Sequence, residues 1–303
     1  MHKVKIGLVS FDSLGDSLIY LMMAENLRLN GFDVTFYSDI ANQLRAWLPQ
    51  LQIMPLPISA DLDAELEVYD LAIVSPPQCV REKLSDETLN VIRKKWVLIC
   101  HKAPDSWKYD HTQRLKARLS PEILEQLGAL PRCGGAIRYR RFEHENIVDI
   151  ALHYMRERMG LKQVVKNVAV TVPEHLQYRR YIKRIIVSPD SAWPEKKDWP
   201  ASSFLQLCRL LRKRGYSPVI VVAPRNHVIW VAKANNEFEV PMFNDIGGLA
   251  AYIYESGALI ANDSGNGLLP HSLVFRLSRF TGNATGTFTG ARVGGKSPWS
   301  RQS

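Results

Sequence analysis

Short apolar runs alternate with segments of helical periodicity along most of the chain. The first run, residues 4–11, is followed by the loop DSLGDS, a helical pattern over residues 18–30 and a second apolar run at residues 33–38. Gly31 stands where a helix commonly ends in glycine. A strand, a glycine-containing loop, a helix and a second strand predict a βαβ unit, and therefore a parallel sheet.

The same pattern continues and then begins again in the second half of the chain. The first half adds predicted strands at residues 71–76 and 96–100 and helices near 87–95 and 146–159. The second half has predicted strands at 184–189, 217–224 and 258–263 and helices at 201–214 and 249–255. We therefore predict an α/β protein with two Rossmann-like domains, residues 1–165 and 184–267, facing each other across a cleft. Ligands of such folds bind at the carboxyl ends of the strands.

Composition agrees with a soluble globular protein in the cytoplasm. The chain has 303 residues, of which 46% are hydrophobic and 23% charged, and this length suits two domains. It shows neither a secretory signal nor an apolar run long enough to span a membrane. The four cysteines (Cys79, Cys100, Cys133 and Cys208) lack metal-ligand spacing, so we expect reduced cysteines and no metal site.

The net charge of +9 is unevenly distributed along the chain. Residues 268–303 contain five basic residues and no acidic one, which leaves +4 for the body. Two basic clusters, RYRR at 138–141 and the pair Arg179 and Arg180, either meet an anionic substrate or lipid surface or are simply solvated. The modest charge of the body and the absence of a nucleic-acid motif argue against a nucleic-acid partner.

Three strand-to-helix loops carry the candidate chemistry. In the first, Gly15 allows a tight turn and Asp16 follows at the start of the first helix. Asp16 is either a reactive carboxylate that faces the cleft or only the N-cap of that helix.

The second loop, SPDSAWPEKKDWP, leads from a strand into a helix at Trp199 and Pro200. Ser188, Ser191 and Lys197 could together bind phosphate through two hydroxyls, backbone N–H groups and one ammonium. The alternative is a polar loop whose tryptophan packs on the core.

The third loop, NDSGNG, begins where a strand ends at Asp263. Ser264 and Gly265 then allow close approach of the backbone to a nucleotide's ribose and phosphates. The alternative is a strand-to-helix turn that binds no ligand.

Taken together, the three loops resemble the heptosyltransferase family of glycosyltransferases (family 9), which builds lipopolysaccharide cores. The resemblance rests on Gly15-Asp16, on the segment KDWP at 197–200 and on the segment DSG at 263–265, and it covers residues 4 to about 267. It implies a GT-B fold and inverting transfer of a sugar, typically heptose from ADP-heptose, to a lipopolysaccharide core acceptor. It also implies neither a metal nor another cofactor, and it leaves room for peripheral contact with the inner membrane.

The resemblance also assigns roles to residues. Asp16 matches the catalytic base, which removes a proton from the acceptor hydroxyl. Lys197 matches the residue that offsets the charge of the departing diphosphate. Asp263, Ser264 and Gly265 match the donor-binding loop.

The sequence departs from the family after Gly267. The family expects His where Leu268 stands, and residues 282–295 contain five glycines without helical or strand periodicity. We expect residues 268–303 to be an aberrant, disordered tail and the C-terminal domain to be truncated, with its strand 258–263 becoming an edge or losing a neighbour.

A frameshift accounts for this departure. When the codons from Leu269 onward are regrouped one base earlier, Val274, Phe275, Arg276 and Leu277 permit the residues GIPT, which the family places here. Loss of the A from a CAT codon before CTT GCC gives CTC TTG CC, which encodes Leu268, Leu269 and Pro270. One lost base would then explain the missing His, the unexpected His271 and the tail.

Three readings of function follow. The first is a glycosyltransferase whose activity is reduced by the truncation. The second is a non-catalytic nucleotide-binding remnant, and the third is a glycosyltransferase that uses another sugar nucleotide. None of the three loops indicates which base or which sugar the donor carries.

Overall fold

The chain divides into two compact units, Met1–Val168 and Ala169–Ser303, close to the predicted domain end at residue 165. The structure, a computed structural model, describes residues 3–10, 13–57, 61–75, 86–103, 105–138, 146–191, 199–262, 279–282 and 288–291.

The first unit is built on a six-stranded sheet of order β3-β2-β1-β4-β5-β6, in which every pair is parallel. Its strands are β1 (Lys5–Val9), β2 (Asp33–Tyr37), β3 (Gln52–Met54), β4 (Leu71–Val74), β5 (Val97–Cys100) and β6 (Gly135–Ala136). The order reverses between β1 and β4, which is the position where doubly wound folds bind ligands.

Helices connect these strands. They are α1 (Leu14–Leu29), α2 (Asp39–Asn42), α3 (Leu62–Glu67), α4 (Asp86–Lys95), α5 (Thr112–Lys116), α6 (Pro121–Leu127) and α7 (Ile147–Glu157), with 3₁₀ turns at Arg45–Trp47, Asp105–Trp107 and Leu130–Arg132. The strand cores are apolar, since Ile6, Leu8 and Ile73 are fully buried, as expected for a parallel sheet covered on both faces.

The second unit contains a five-stranded sheet of order β11-β10-β9-β7-β8. Its strands are β7 (Tyr181–Ser188), β8 (Ser217–Ile220), β9 (Ser256–Ala261), β10 (Arg279–Gly282) and β11 (Phe288–Ala291). Its helices are α8 (Ala201–Lys213), α9 (His227–Ala234) and α10 (Ile246–Glu255), with a 3₁₀ turn at Pro224–Asn226. Strand β7 is parallel to both β8 and β9, which confirms the predicted parallel pairing of these three strands.

A glycine permits the close approach of β9 to β7. The register between these strands shifts between Tyr181 and Ile185. A Cβ atom at Gly257 would overlap the carbonyl group of Ile182, so only glycine fits at this irregularity.

Two features differ from the sequence predictions. Helix α1 begins at Leu14, not at residue 18, because the Ser13 side chain caps it; Gly15 therefore lies within the first turn of the helix and not in the loop before it. In the segment predicted to be a disordered tail, β10 pairs in parallel with β9 and in antiparallel with β11, so β9 is not an edge. Phe and Thr, which favour strands, occur in both added strands. The other residues of 268–303 lie outside the described part of the chain.

Within the described residues, no helix is both long and apolar enough to cross a membrane.

Candidate active site

The start of α1 places an acidic side chain at the carboxyl end of the first sheet. Ser13 adopts an extended backbone, and its Oγ accepts a hydrogen bond from the backbone N–H of Asp16 at 3.3 Å. The same hydroxyl donates to Oδ2 of Asp16 at 2.6 Å. The cap of α1 is therefore Ser13, and Asp16 occupies the third helical position, where the helix dipole favours a carboxylate. The alternative reading of Asp16 as the N-cap itself is wrong.

The other carboxylate oxygen of Asp16 contacts His101, which is not among the predicted site residues. Nδ1 of His101 lies 2.7 Å from Oδ1 of Asp16. The Asp16 side chain is 26% exposed and the His101 side chain 36%, so both are partly shielded but reachable from solvent. An acid and an imidazole in contact, at the edge where parallel sheets bind ligands, form the candidate site in the first unit.

The backbone around His101 is fixed by neighbouring elements. His101 directly follows β5, and its carbonyl accepts a hydrogen bond from the N–H of Arg138 at 3.1 Å. One residue earlier, the Cys100 carbonyl accepts from the N–H of Ile137 at 2.8 Å. The buried Tyr20 of α1 donates its hydroxyl to the carbonyl of Ile99 at 2.6 Å, which ties α1 to β5. These bonds fix the positions of Asp16, on α1, and His101, directly after β5, relative to each other.

The surroundings keep the Asp16 carboxylate ionised. Burial raises its pKa, but hydrogen bonds from His101 and Ser13 and the positive charges of His101 and Arg138 outweigh burial, so the pKa lies below its ordinary value of 3.8. Burial raises the pKa of the adjacent Cys100 thiol to about 11, and the charge of Asp16 contributes. Cys100 is therefore a neutral thiol, which donates to the carbonyl of Lys102, and is not a nucleophile.

A sequence signal for His101 exists, but it is weak. A histidine directly after an apolar strand marks the carboxyl end of that strand, where functional side chains collect. The pairing with Asp16 depends on the strand order, because β4 lies between β1 and β5. The residues themselves do not predict the strand order.

At the corresponding edge of the second unit, the described side chains and carbonyls make structural hydrogen bonds. Ser188 ends β7 and is fully buried, and Ser191 is also buried. The carbonyl of Ser188 accepts a hydrogen bond from the N–H of Asn262 at 3.2 Å, and the Asn262 side chain donates to the carbonyl of Pro189. Asp190 accepts from the N–H of Ala223 at 2.7 Å. These bonds join the ends of β7, β8 and β9, and the phosphate role of the two serines stays a prediction.

The remaining predicted site residues, Lys197, Asp263, Ser264 and Gly265, lie outside the described residues. Trp199, at the end of the second loop, packs edge-to-face against Phe204 with ring centroids 5.7 Å apart. Trp199 is therefore partly buried against the core of the second unit. In the described part of the chain, no three His, Cys, Asp or Glu side chains are grouped so that they could hold a metal ion.

Two α/β units whose central strands are parallel are typical of the GT-B class of glycosyltransferase folds. A scan against models of protein families and a search of curated proteins found no match to the sequence. Solved structures do match, and several of them are glycosyltransferases.

Three solved structures illustrate the likeness. The glycosyl transferase family 9 protein from Veillonella parvula has a TM-score of 0.60 at 17% identity, over 93% of this chain and 82% of its own. The E. coli ADP-heptose lps heptosyltransferase II has a TM-score of 0.55 at 15% identity, over 92% of this chain and 85% of its own. The E. coli heptosyltransferase WaaC with ADP has a TM-score of 0.54 at 14% identity, over 92% and 87%.

The TM-scores establish a shared fold at these low sequence identities. The chain has the GT-B fold of the heptosyltransferases, and the predicted fold class and structural resemblance are confirmed.

Proposed function

We propose that this protein is an inverting glycosyltransferase that moves a sugar from a nucleotide donor to an acceptor hydroxyl. The single observation that carries the proposal is the contact between Asp16 and His101 at the carboxyl end of the first sheet of a GT-B fold. A carboxylate and an imidazole in contact can accept a proton at neutral pH, which attack by a hydroxyl requires.

The reaction then needs two groups of opposite charge. On the acceptor side, the pair of Asp16 and His101 removes the proton as the hydroxyl oxygen attacks the anomeric carbon. On the donor side, Lys197 offsets the negative charge that develops on the diphosphate as its bond to the sugar breaks. A side-chain ammonium makes a divalent metal unnecessary, so we propose that activity persists in EDTA.

We propose ADP-heptose as the donor, bound by the second unit through Ser188, Ser191, Asp263, Ser264 and Gly265. Support comes from the E. coli heptosyltransferase WaaC, which was solved with ADP and with ADP-2-deoxy-2-fluoro heptose. A hexose or another nucleotide is the competing assignment, and a panel of donors separates the two.

We propose a lipopolysaccharide core glycolipid as the acceptor, met by a cytoplasmic protein at the surface of the inner membrane. Exposed basic side chains support this contact, because anionic lipid attracts them: Arg138 is exposed in the first unit, and Arg179 and Arg180 in the second.

We further propose that the tail arose by a frameshift and that it lowers activity. The support is the replacement of the expected His by Leu268, together with a glycine-rich segment without acidic residues. Sequencing the gene at the codon of Leu268 in close relatives tests this proposal. Relatives with one additional base and the residues HLAS support it, whereas relatives with the same tail refute it.

Donor binding is tested by thermal-shift measurements with ADP-, UDP- and GDP-sugars. Transfer is tested by nucleotide release with a core acceptor, for the chain as printed and for the chain with one base restored at Leu268. Transfer by the restored chain and slower transfer by the printed chain agree with both proposals. Equal rates refute the impairment, and no transfer by either chain refutes the transferase function.

A second candidate function is a non-catalytic nucleotide-binding remnant. It is favoured by Leu268, which stands where the family's late motif has its His. Binding of ADP without transfer, in the printed chain only, would select this candidate.

A further inference from the structure

Both oxygens of the Asp16 carboxylate are already engaged by donors on this chain. Ser13 Oγ lies 2.6 Å from Oδ2, and His101 Nδ1 lies 2.7 Å from Oδ1. An ionised carboxylate only accepts hydrogen bonds, so the hydroxyl and the ring nitrogen must each supply the hydrogen. Each oxygen keeps a second lone pair, but the two bonds lower the basicity of the carboxylate that an acceptor hydroxyl would meet.

The same geometry assigns the tautomer of His101. With the hydrogen on Nδ1, the neutral ring has its lone pair on Nε2. Among the described residues, the His101 side chain has no hydrogen-bond partner other than Asp16. More of the His101 side chain than of the Asp16 side chain is exposed, 36% against 26%. Among the described residues, Nε2 is therefore the basic atom of the pair that is available to a substrate.

We infer that Nε2 of His101 is the atom that takes the acceptor's proton, and that Asp16 is the positioning carboxylate that fixes the ring. This inference rests on the proposed glycosyltransferase function. The acceptor oxygen forms a bond to the anomeric carbon while the bond from that carbon to the diphosphate breaks. The diphosphate leaves with the electron pair, the hydroxyl proton moves to Nε2, and the resulting imidazolium is stabilised by the Asp16 carboxylate.

The supporting contacts suit a ring that must stay in place through this step. The carbonyl of His101 is bonded to the N–H of Arg138, and Tyr20 ties α1 to the strand that ends before His101. The low pKa of Asp16 agrees with this division of roles, because a carboxylate that stays ionised orients and stabilises a cation well and accepts a proton poorly.

The test compares His101→Asn, His101→Ala and Asp16→Asn in the sugar-transfer assay, on the more active of the printed and frame-restored chains. Asparagine can still donate to Asp16 but has no basic atom. We expect His101→Asn and Asp16→Asn each to lower kcat by ~10²-fold or more, with donor binding retained. Added imidazole should restore activity to His101→Ala, and more basic imidazoles should restore it further.

Two results in this assay overturn the inference. One is a His101→Asn variant whose kcat stays within about threefold of the unmodified chain while Asp16→Asn is impaired. The other is a His101→Ala variant that no imidazole rescues. The exposed His175, in the second unit, supplies the matched control, and His175→Asn should leave kcat unchanged.

A second readout does not depend on turnover. The ¹⁵N spectrum of histidine-labelled protein, assigned with His101→Asn, should show the hydrogen of neutral His101 on Nδ1. Transfer activity together with a hydrogen on Nε2 refutes the role of His101 alone. Absence of transfer in every form, with the hydrogen on Nδ1, refutes the transferase function and with it the proton-transfer step.

Discussion

The carboxyl ends of the two parallel sheets differ in chemistry. In the first unit, Asp16 and His101 bring a carboxylate and an imidazole into contact, and their partners keep the carboxylate charged. In the second unit, Ser188 and Asn262 are buried and their recorded bonds join neighbouring strand ends. The proposed function assigns proton transfer to the first unit, and the described bonds of the second unit hold the strand ends from which its loops leave. Five experiments test this difference between the units.

The largest effect is expected for Asp16→Asn. The amide keeps the shape of the carboxylate but removes the charge that orients and stabilises the imidazole. We expect kcat to fall by about 10²- to 10⁴-fold, with the thermal shift from the sugar donor unchanged. Asp39→Asn is the control, since Asp39 is exposed in the first turn of α2, at the same edge of the sheet. A matching loss in Asp39→Asn would show that general charge, not the pair, matters.

Lys197→Ala tests the donor side of the proposed reaction. Loss of the ammonium leaves the diphosphate charge uncompensated, so both the donor-induced thermal shift and the rate should fall, the rate by roughly 10²-fold. Lys213→Ala, an exposed lysine at the end of α8, should change neither. An intact donor shift in Lys197→Ala would contradict the phosphate role.

Phe204→Ala removes a buried aromatic side chain from the core of the second unit. Phe204 is 2% exposed and packs edge-to-face against both Trp199 and Trp230. We expect a loss of about 3–5 kcal/mol in the free energy of unfolding of this unit, measured by urea denaturation. Leu210→Ala, half exposed on the same helix, should cost much less.

Acid should destabilise the first unit through His111, which is 1% exposed. Burial and then the charge of Arg114 lower the pKa of His111 from 6.5 to about 4. Between these values the unfolded chain binds a proton that the folded chain does not, so the free energy of unfolding falls as the pH drops. The full loss by about pH 4 is roughly 3 kcal/mol.

His111→Gln should remove this dependence on pH, whereas His175→Gln should leave it in place. Urea denaturation at several pH values between 4 and 7 measures the difference. An unchanged slope in His111→Gln would contradict the assignment.

The smallest effect is expected for Tyr20→Phe. This change removes the hydroxyl that binds the carbonyl of Ile99 and leaves a buried carbonyl without that donor. We expect a loss of about 1–2 kcal/mol in stability. A fall in kcat larger than the fall in donor binding would show that this bond also holds the distance between Asp16 and His101.

The sequence predicts most of the scaffold because hydrophobic periodicity and caps are local. Helix α8 occupies Ala201–Lys213 against a predicted 201–214, and α7 occupies Ile147–Glu157 against a predicted 146–159. Helix α1 begins at Leu14, four residues before the predicted start, because the Ser13 side chain caps it. Ser13 stands five residues before the apolar pattern, and Gly15 between them favours assignment of this segment to the loop.

The candidate site was less predictable than the scaffold. Asp16 is marked by its place after the first strand, but its partner is 85 residues away along the chain and is brought near only by the strand order. Strands β10 and β11 were missed because residues 279–282 and 288–291 are too short to show alternation, and the open side of β9 supplies the pairing.

The most direct test of the central claim is the rate of nucleotide release from ADP-heptose with a lipopolysaccharide core acceptor. It should be measured for the frame-restored chain and for its Asp16→Asn variant. The proposed function predicts transfer by the frame-restored chain. It predicts a rate at least ~10²-fold lower for the Asp16→Asn variant, with equal donor binding. Equal rates for the two proteins, or transfer by neither, would contradict it.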